Sequence, residues 1–297
     1  ALNRTERLLR TWRVDVSPLQ AREPYEIPES QGLEVAWVIP HPRLPRLAVL
    51  LRKIEVTRDK SARVARLWVG LYELGAQGWT SVWRQEMEDM LETKRPSFDE
   101  GAQYQRLAFE ATGERLVTAL PFGQVNVLDA QSGQVLTRLE LPNEILRSKT
   151  SGDLGQYKWP TASGGLCFLS RDRVAIALHG SVSMGFPDVA QLRVHVWDLT
   201  GAAPPLVIPT PGQAATAMAS WRDEISVGFQ GHVISVANLS QPEPELTRIP
   251  APPGLRRYGG QESAEDSNLN EPPRWLDYTA DGSCLLAASG DAATTRP

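Results

Sequence analysis

The sequence predicts an all-β chain of repeated four-stranded antiparallel units, a β-propeller with about five recognisable blades and an incomplete last one. Two observations carry this. Residues 107–141, LAFEATGERLVTALPFGQVNVLDAQSGQVLTRLEL, read as four short strands with turns at ATGE, PFGQ and DAQSG. Short apolar runs bounded by Gly, Asp and Ser clusters are the signature of antiparallel strands. Elsewhere the third strands align as LWVGLYELG, QVNVLDAQSG, RVHVWDLTG and VISVANLSQ, which puts Glu73, Asp129, Asp198 and Asn238 in one column. Spacings in that column are unequal and every excess residue falls in a loop, so this is a repeat with insertions.

In chain order, Leu8–Val16 is a strand-like run and a candidate ring-fastening strand. Blades are expected at about 33–87, 104–141, 164–210, 214–250 and 274–297, within one domain over 1–297. Residues 87–103 are charged and suit one short helix, since SVWRQEMEDMLETKR (81–95) has some helical character. The last unit stops where its third strand should end, and the chain begins at Ala rather than Met. We therefore expect a longer polypeptide, or a partner, to complete the ring.

Composition narrows the function classes. A net charge of −4 disfavours a dedicated nucleic-acid binder. No apolar run approaches a membrane span, no secretory leader is visible, and the two cysteines sit in apolar runs. Buried thiols in a cytoplasmic protein are expected. Abundant Ala, Arg, Gly and Pro suit a bacterial source.

VWDLTG at Val196–Gly201 resembles the end of a WD40 repeat, and LAFEATGERLVTAL and LDYTADGSCLLAASGD are similar to the first two strands of such repeats. The Gly-His dipeptide is not in the expected place: Gly231-His232 falls in a second-to-third strand turn. The resemblance covers about two thirds of the chain. It implies a propeller with strands running from axis to rim, and no particular partner.

In such a fold the first-to-second and third-to-fourth strand turns share one face, and these are short after the first blade. The opposite face carries the insertions, among them 142–164, 180–191 and 250–273. Binding residues concentrate on long loops over a rigid scaffold. The candidate partner-binding residues there are Arg147, Tyr157, Lys158 and Trp159; Met184 and Phe186; and Arg256, Arg257 and Tyr258. Their types are those enriched at interface cores, although Tyr157 and Trp159 equally suit pinning their own loop.

Other constellations read as structural. The Asp/Asn column is expected to bond its own turns. His195 alternates onto the face of Trp197, a packed and hydrogen-bonded histidine. Trp37, Trp68, Trp83 and Trp197 fall inside strands, as blade-to-blade packing. His41, His179 and His232 have no paired spacing, so no metal is expected, nor any cofactor. The expected function is non-catalytic: a protein-interaction scaffold or sensor, binding another protein or another part of a longer polypeptide through the loop-rich face. The alternative is a propeller enzyme of hydrolase or lactonase type at the central channel, for which Glu34 and Asp277 are the inner-strand carboxylates.

Overall fold

The structure, a computed structural model, describes residues 2–3, 8–9, 12–13, 20–21, 25–28, 32–56, 63–87, 107–119, 125–139, 160–180, 193–211, 215–229, 233–249, 273–279 and 281–289. All regular structure among them is β. Five two-residue strands come first: β1 (Leu2–Asn3), β2 (Leu8–Leu9), β3 (Trp12–Arg13), β4 (Gln20–Ala21) and β5 (Tyr25–Glu26). They form a β1-β2-β5 sheet and a β3-β4 pair. Within 8–16, expected as one strand, Leu8–Leu9 and Trp12–Arg13 thus pair separately and within the N-terminal region.

Four antiparallel four-stranded sheets follow, each a simple meander. The first is β6 (Glu34–Pro40), β7 (Arg46–Val56), β8 (Arg63–Gly75) and β9 (Gly78–Glu86). The second is β10 (Leu107–Phe109), β11 (Arg115–Ala119), β12 (Val125–Asp129) and β13 (Val135–Leu139). The third is β14 (Pro160–Ser170), β15 (Arg173–Gly180), β16 (Arg193–Asp198) and β17 (Leu206–Pro209), and the fourth β18 (Ala215–Trp221), β19 (Glu224–Phe229), β20 (Val233–Asn238) and β21 (Thr247–Arg248). A fifth sheet has β22 (Pro273–Tyr278) and β23 (Leu285–Ser289). Strand β14 starts five residues before its expected position, inside the stretch read as a loop; Pro160 opens it, where no ladder donor is required. Of the stretch with helical character, 81–86 belongs to β9 and the Met87 amide continues its ladder to the Leu67 carbonyl; the rest of 87–103 and the tail 290–297 lie outside the described residues.

Period-two alternation explains the stacking. Each inner strand has one face toward the preceding sheet and one toward the next. Ala48, Leu50, Val69 and Leu71 of the first sheet pack with Leu107, Leu116 and Leu128 of the second. Val117, Ala119, Val125 and Val127 then meet Leu166, Phe168, Val174, Ile176 and Trp197 of the third. Ala175, Ala177, Val194 and Val196 meet Met218, Ile225, Val227 and Phe229 of the fourth. Ala217 and Ala219 meet Leu276 of the fifth. The first strands of successive sheets lie side by side. On its other face the first sheet is covered by Ile27 and Leu33. Three of the four tryptophan expectations hold here: Trp37 and Trp83 pack at the first junction and Trp197 at the second, whereas Trp68 packs on the other face of the first sheet, with Ile27 and Leu33, because alternation turns it away from the second sheet.

Cross-strand register bears out the aligned column. Glu73, Asp129, Asp198 and Asn238 pair with Arg46, Arg115, Arg173 and Glu224, each the first residue of its second strand. One backbone bond then recurs: the amides of Leu74, Ala130, Leu199 and Leu239 donate to the carbonyls of Pro45, Glu114, Asp172 and Asp223, at 2.8, 2.8, 2.7 and 2.7 Å.

Candidate functional site

The sheets have two unlike ends. At one end short turns are closed by their own side chains. The carboxylate Oδ1 of Asp129 accepts from the amides of Gln131 and Ser132 at 3.1 and 2.7 Å and from the Ser132 hydroxyl at 2.7 Å. Asp198 does the same with the Thr200 amide and hydroxyl, at 2.8 and 2.6 Å, and Asn238 accepts from Ser240 at 2.9 Å. These bonds favour the ionised form and hold the Asp129 and Asp198 carboxyls below the usual carboxylate range. Asp281, in the corresponding first-to-second turn of the fifth sheet, is bonded by Thr279 and Ser283 and falls to about 2. Glu73 departs from the column: one methylene longer, it takes the Arg46 guanidinium at 3.0 and 3.2 Å instead of its own turn.

This turn end is also where each sheet is fastened to the next. His41 bonds the Gly113 carbonyl at 3.1 Å, and Trp83 Nε1 donates to the Ala130 carbonyl at 2.9 Å. His41 Nδ1 accepts from the amides of Arg43 and Leu44, each at 3.0 Å, so its proton is on Nε2 and the ring is neutral. Burial lowers its pKa in the same sense. Arg115 donates through Nε to buried Glu110 at 2.9 Å, lies over the Phe168 ring, and reaches Asp172 of the third sheet at 3.8 Å, an ion pair too long for a hydrogen bond. Arg173 reaches Asp223 of the fourth sheet at 3.9 Å. Glu224 holds the equivalent place in the fourth sheet and accepts from the Tyr278 hydroxyl of the fifth at 2.6 Å. Tyr278 spends its proton on Glu224, so Ser226 donates to the Tyr278 oxygen. Burial, and then the bond to Glu224, raise the phenol above its ordinary value.

The other end anchors the long connections. Val125 pairs with both Ala119 and Leu139, so the 120–124 turn and the 140–159 connection leave side by side. Pro160 pairs with Gly180, and Leu178 with Arg193, so the end of 140–159 meets the start of 181–192 and the far end of 181–192 enters on the other side of β15. Pro273 pairs with Ser289, which places the end of 250–272 at the same end of the fifth sheet. Every candidate residue named from sequence (Arg147, Tyr157, Lys158, Trp159, Met184, Phe186, Arg256, Arg257 and Tyr258) lies outside the described residues; the structure fixes the strand ends from which their segments spring.

The inner-strand carboxylates do not converge. Glu34 opens β6 at the loop end and receives two bonds from Arg52, at 2.7 and 2.9 Å. Asp277 is the next-to-last residue of β22, at the turn end, with its carboxyl raised by desolvation and held back by the Tyr278 amide. Acid–base chemistry by a carboxylate pair requires both at one site. Among the described residues no three His, Cys, Asp or Glu side chains group as a metal site, and no helix is long and apolar enough to cross a membrane.

Two sequence expectations need correction here. His195 is buried and stacked on Trp197, with ring centroids 5.3 Å apart, but neither ring nitrogen has a hydrogen-bond partner. Its strand neighbours Ile176 and Val207 and the facing second-sheet wall are aliphatic. Cys284 is exposed, because it stands in the turn just ahead of β23; Cys167 is buried as expected, and burial pushes its thiol up to about 12. Sequence reasoning also missed the contacts of His41, Trp83 and Trp221 with glycines of the following sheet. No local signal marks these contacts, because each depends on a ring from the preceding sheet.

The described architecture is that of an all-β protein of consecutive, blade-like four-stranded sheets. Against known proteins, no family model and no curated sequence matches. Among solved structures the chain is similar to one from the crystal structure of the mitotic checkpoint complex, at 14% identity and a TM-score of 0.43, covering 95% of this chain and 78% of that one.

Proposed function

We propose that the chain is a WD40-like β-propeller that acts without catalysis, as a scaffold or sensor gripping a protein partner through its loop-bearing end. The observation that supports this best is the asymmetry of the two ends. Turn-end side chains are consumed by their own turns and by the fastenings between sheets, whereas the strand ends that the long connections join lie at the opposite end. Loops on a rigid frame are the usual seat of recognition. The separation of Glu34 from Asp277 counts against the enzyme alternative at a central channel.

The test compares co-purification of partners from the native host by three proteins. The Tyr157→Ala/Trp159→Ala double variant should lose most of the captured protein while its melting temperature stays within about 2 °C of wild type. A turn-end control, Ser132→Ala, should capture normally. Equal capture by all three, or loss only with unfolding, would remove the reading.

A further inference from the structure

The junction between the second and third sheets contains a buried imidazole with nothing to bond to. His195 is 3% exposed, its ring lies against Trp197, and neither Nδ1 nor Nε2 finds a partner. Around it the wall is Val117, Val125, Val127, Leu139, Ile176 and Val174. A neutral imidazole tolerates such a site at some cost, but an imidazolium does not.

We propose that this junction is an acid-sensitive joint, which loosens when a proton enters at His195.

The charges facing the joint oppose a proton there or stand away from it. Arg193, on the same strand, is a cation and disfavours a second one. Toward the joint from the second sheet come Asp129, whose carboxylate is held by its own turn, and Arg115, whose guanidinium is engaged by Glu110 and faces Asp172, all at the turn end. Arg173 on β15 points the other way, toward Asp223. Strand β17, LVIP, carries no titratable group. No carboxylate bonds the ring.

Burial first, and Arg193 second, lower the His195 pKa from 6.5 to about 4. The closed junction therefore binds the proton less readily than the open one. Its stability is full above about pH 6.5 and is lost progressively as pH falls toward about 4. Between pH 7.5 and 5 the open fraction should rise roughly 30-fold.

Hydrogen exchange of the full chain at pH 7.5 and 5.0, corrected for intrinsic rates, tests this. Amides of β12 and β16 should lose roughly 30-fold of their protection at pH 5 while those of β19 keep theirs. Titration of His41 would register instead at the first junction, in β10. His195→Phe, which keeps a flat ring against Trp197 and cannot titrate, should abolish the change in β12 and β16. Uniform or absent loss of protection in the wild-type protein would overturn the proposal, as would an unchanged response in His195→Phe. Should that variant not fold, the regional pattern in the wild type decides alone.

Discussion

Gly113, Gly133 and Gly282 each have positive φ and each receives a ring from the preceding sheet. A Cβ on Gly113 would stand 2.1 Å from His41 Cε1, one on Gly133 2.8 Å from the Trp83 ring, and one on Gly282 2.0 Å from the Trp221 ring. Gly201 shares the backbone conformation but has open space around it. The two effects can thus be separated. Gly201→Ala should cost only the left-handed strain, about 1 kcal/mol. Gly282→Ala adds displacement of a packed indole and should cost about 2–4 kcal/mol. Chemical denaturation of both variants measures the difference; equal costs would mean that the ring yields freely. The turn glycines were legible in sequence as turn residues, since ATGE and ADGS announce them. Their second duty was not, because it depends on a side chain from another unit. His195 is a similar case: alternation correctly places it beside Trp197, but whether its nitrogens are satisfied depends on a facing wall some 70 residues away in sequence.

At the scale of the element, the second strands do most of the organising. Each is central in its sheet, and its first residue turns toward the next sheet, as the facing clusters of Ala48, Val117 and Ala175 require. Position thus explains why Arg115 matters more than Arg173. Arg115 neutralises Glu110, whose side chain is 4% exposed, whereas Asp223 is 64% exposed and its pair with Arg173 contributes little. Arg115→Met should cost about 3 kcal/mol by leaving a buried carboxylate uncompensated. Adding Glu110→Gln should recover about half of it, and a thermodynamic cycle of the two changes measures their coupling. Additivity would show that the pair is not coupled in the folded protein. Strand identity in these sheets was largely legible, since the four-strand rhythm and the Glu73 to Asn238 column emerge from alternation and turn chemistry alone. The extension of β14 back to Pro160 was not, because GG and a proline mimic a loop when the pairing partner, β15, is unseen.

For the molecule as a whole, most of the fastenings run in one direction, the Ser220 hydroxyl, which donates back to the Phe168 carbonyl of the third sheet, being an exception. Side chains of one sheet reach the turn of the sheet after it, from His41 and Trp83 through Arg115 and Arg173 to Glu224 and Tyr278. The last of these breaks the pattern, with a carboxylate where Arg115 and Arg173 have a guanidinium. Glu224→Arg should therefore destabilise by about 1–3 kcal/mol, since it removes the acceptor of a half-buried phenol, while Glu224→Gln should cost about 1 kcal/mol or less. Thermal melts rank the two; the opposite order would mean that Tyr278 is indifferent to its acceptor. What was legible at this scale is which end carries the long connections. Which of their residues touch one another was not, because loop conformation is set by contacts that no period or turn signal encodes.

The exception at Glu224 bears on how such a chain can be rearranged. A unit that offers an arginine and looks for an acid in its successor's turn can be followed by any unit of the same kind. The second and third sheets offer the arginine and the third and fourth supply the acid, so a duplicated third sheet would leave every joint matched. The fourth and fifth are instead cut to each other, glutamate to tyrosine. A copy of the third sheet inserted between them would find no mate on either side, so the seam between these two is where the order of the repeats is fixed.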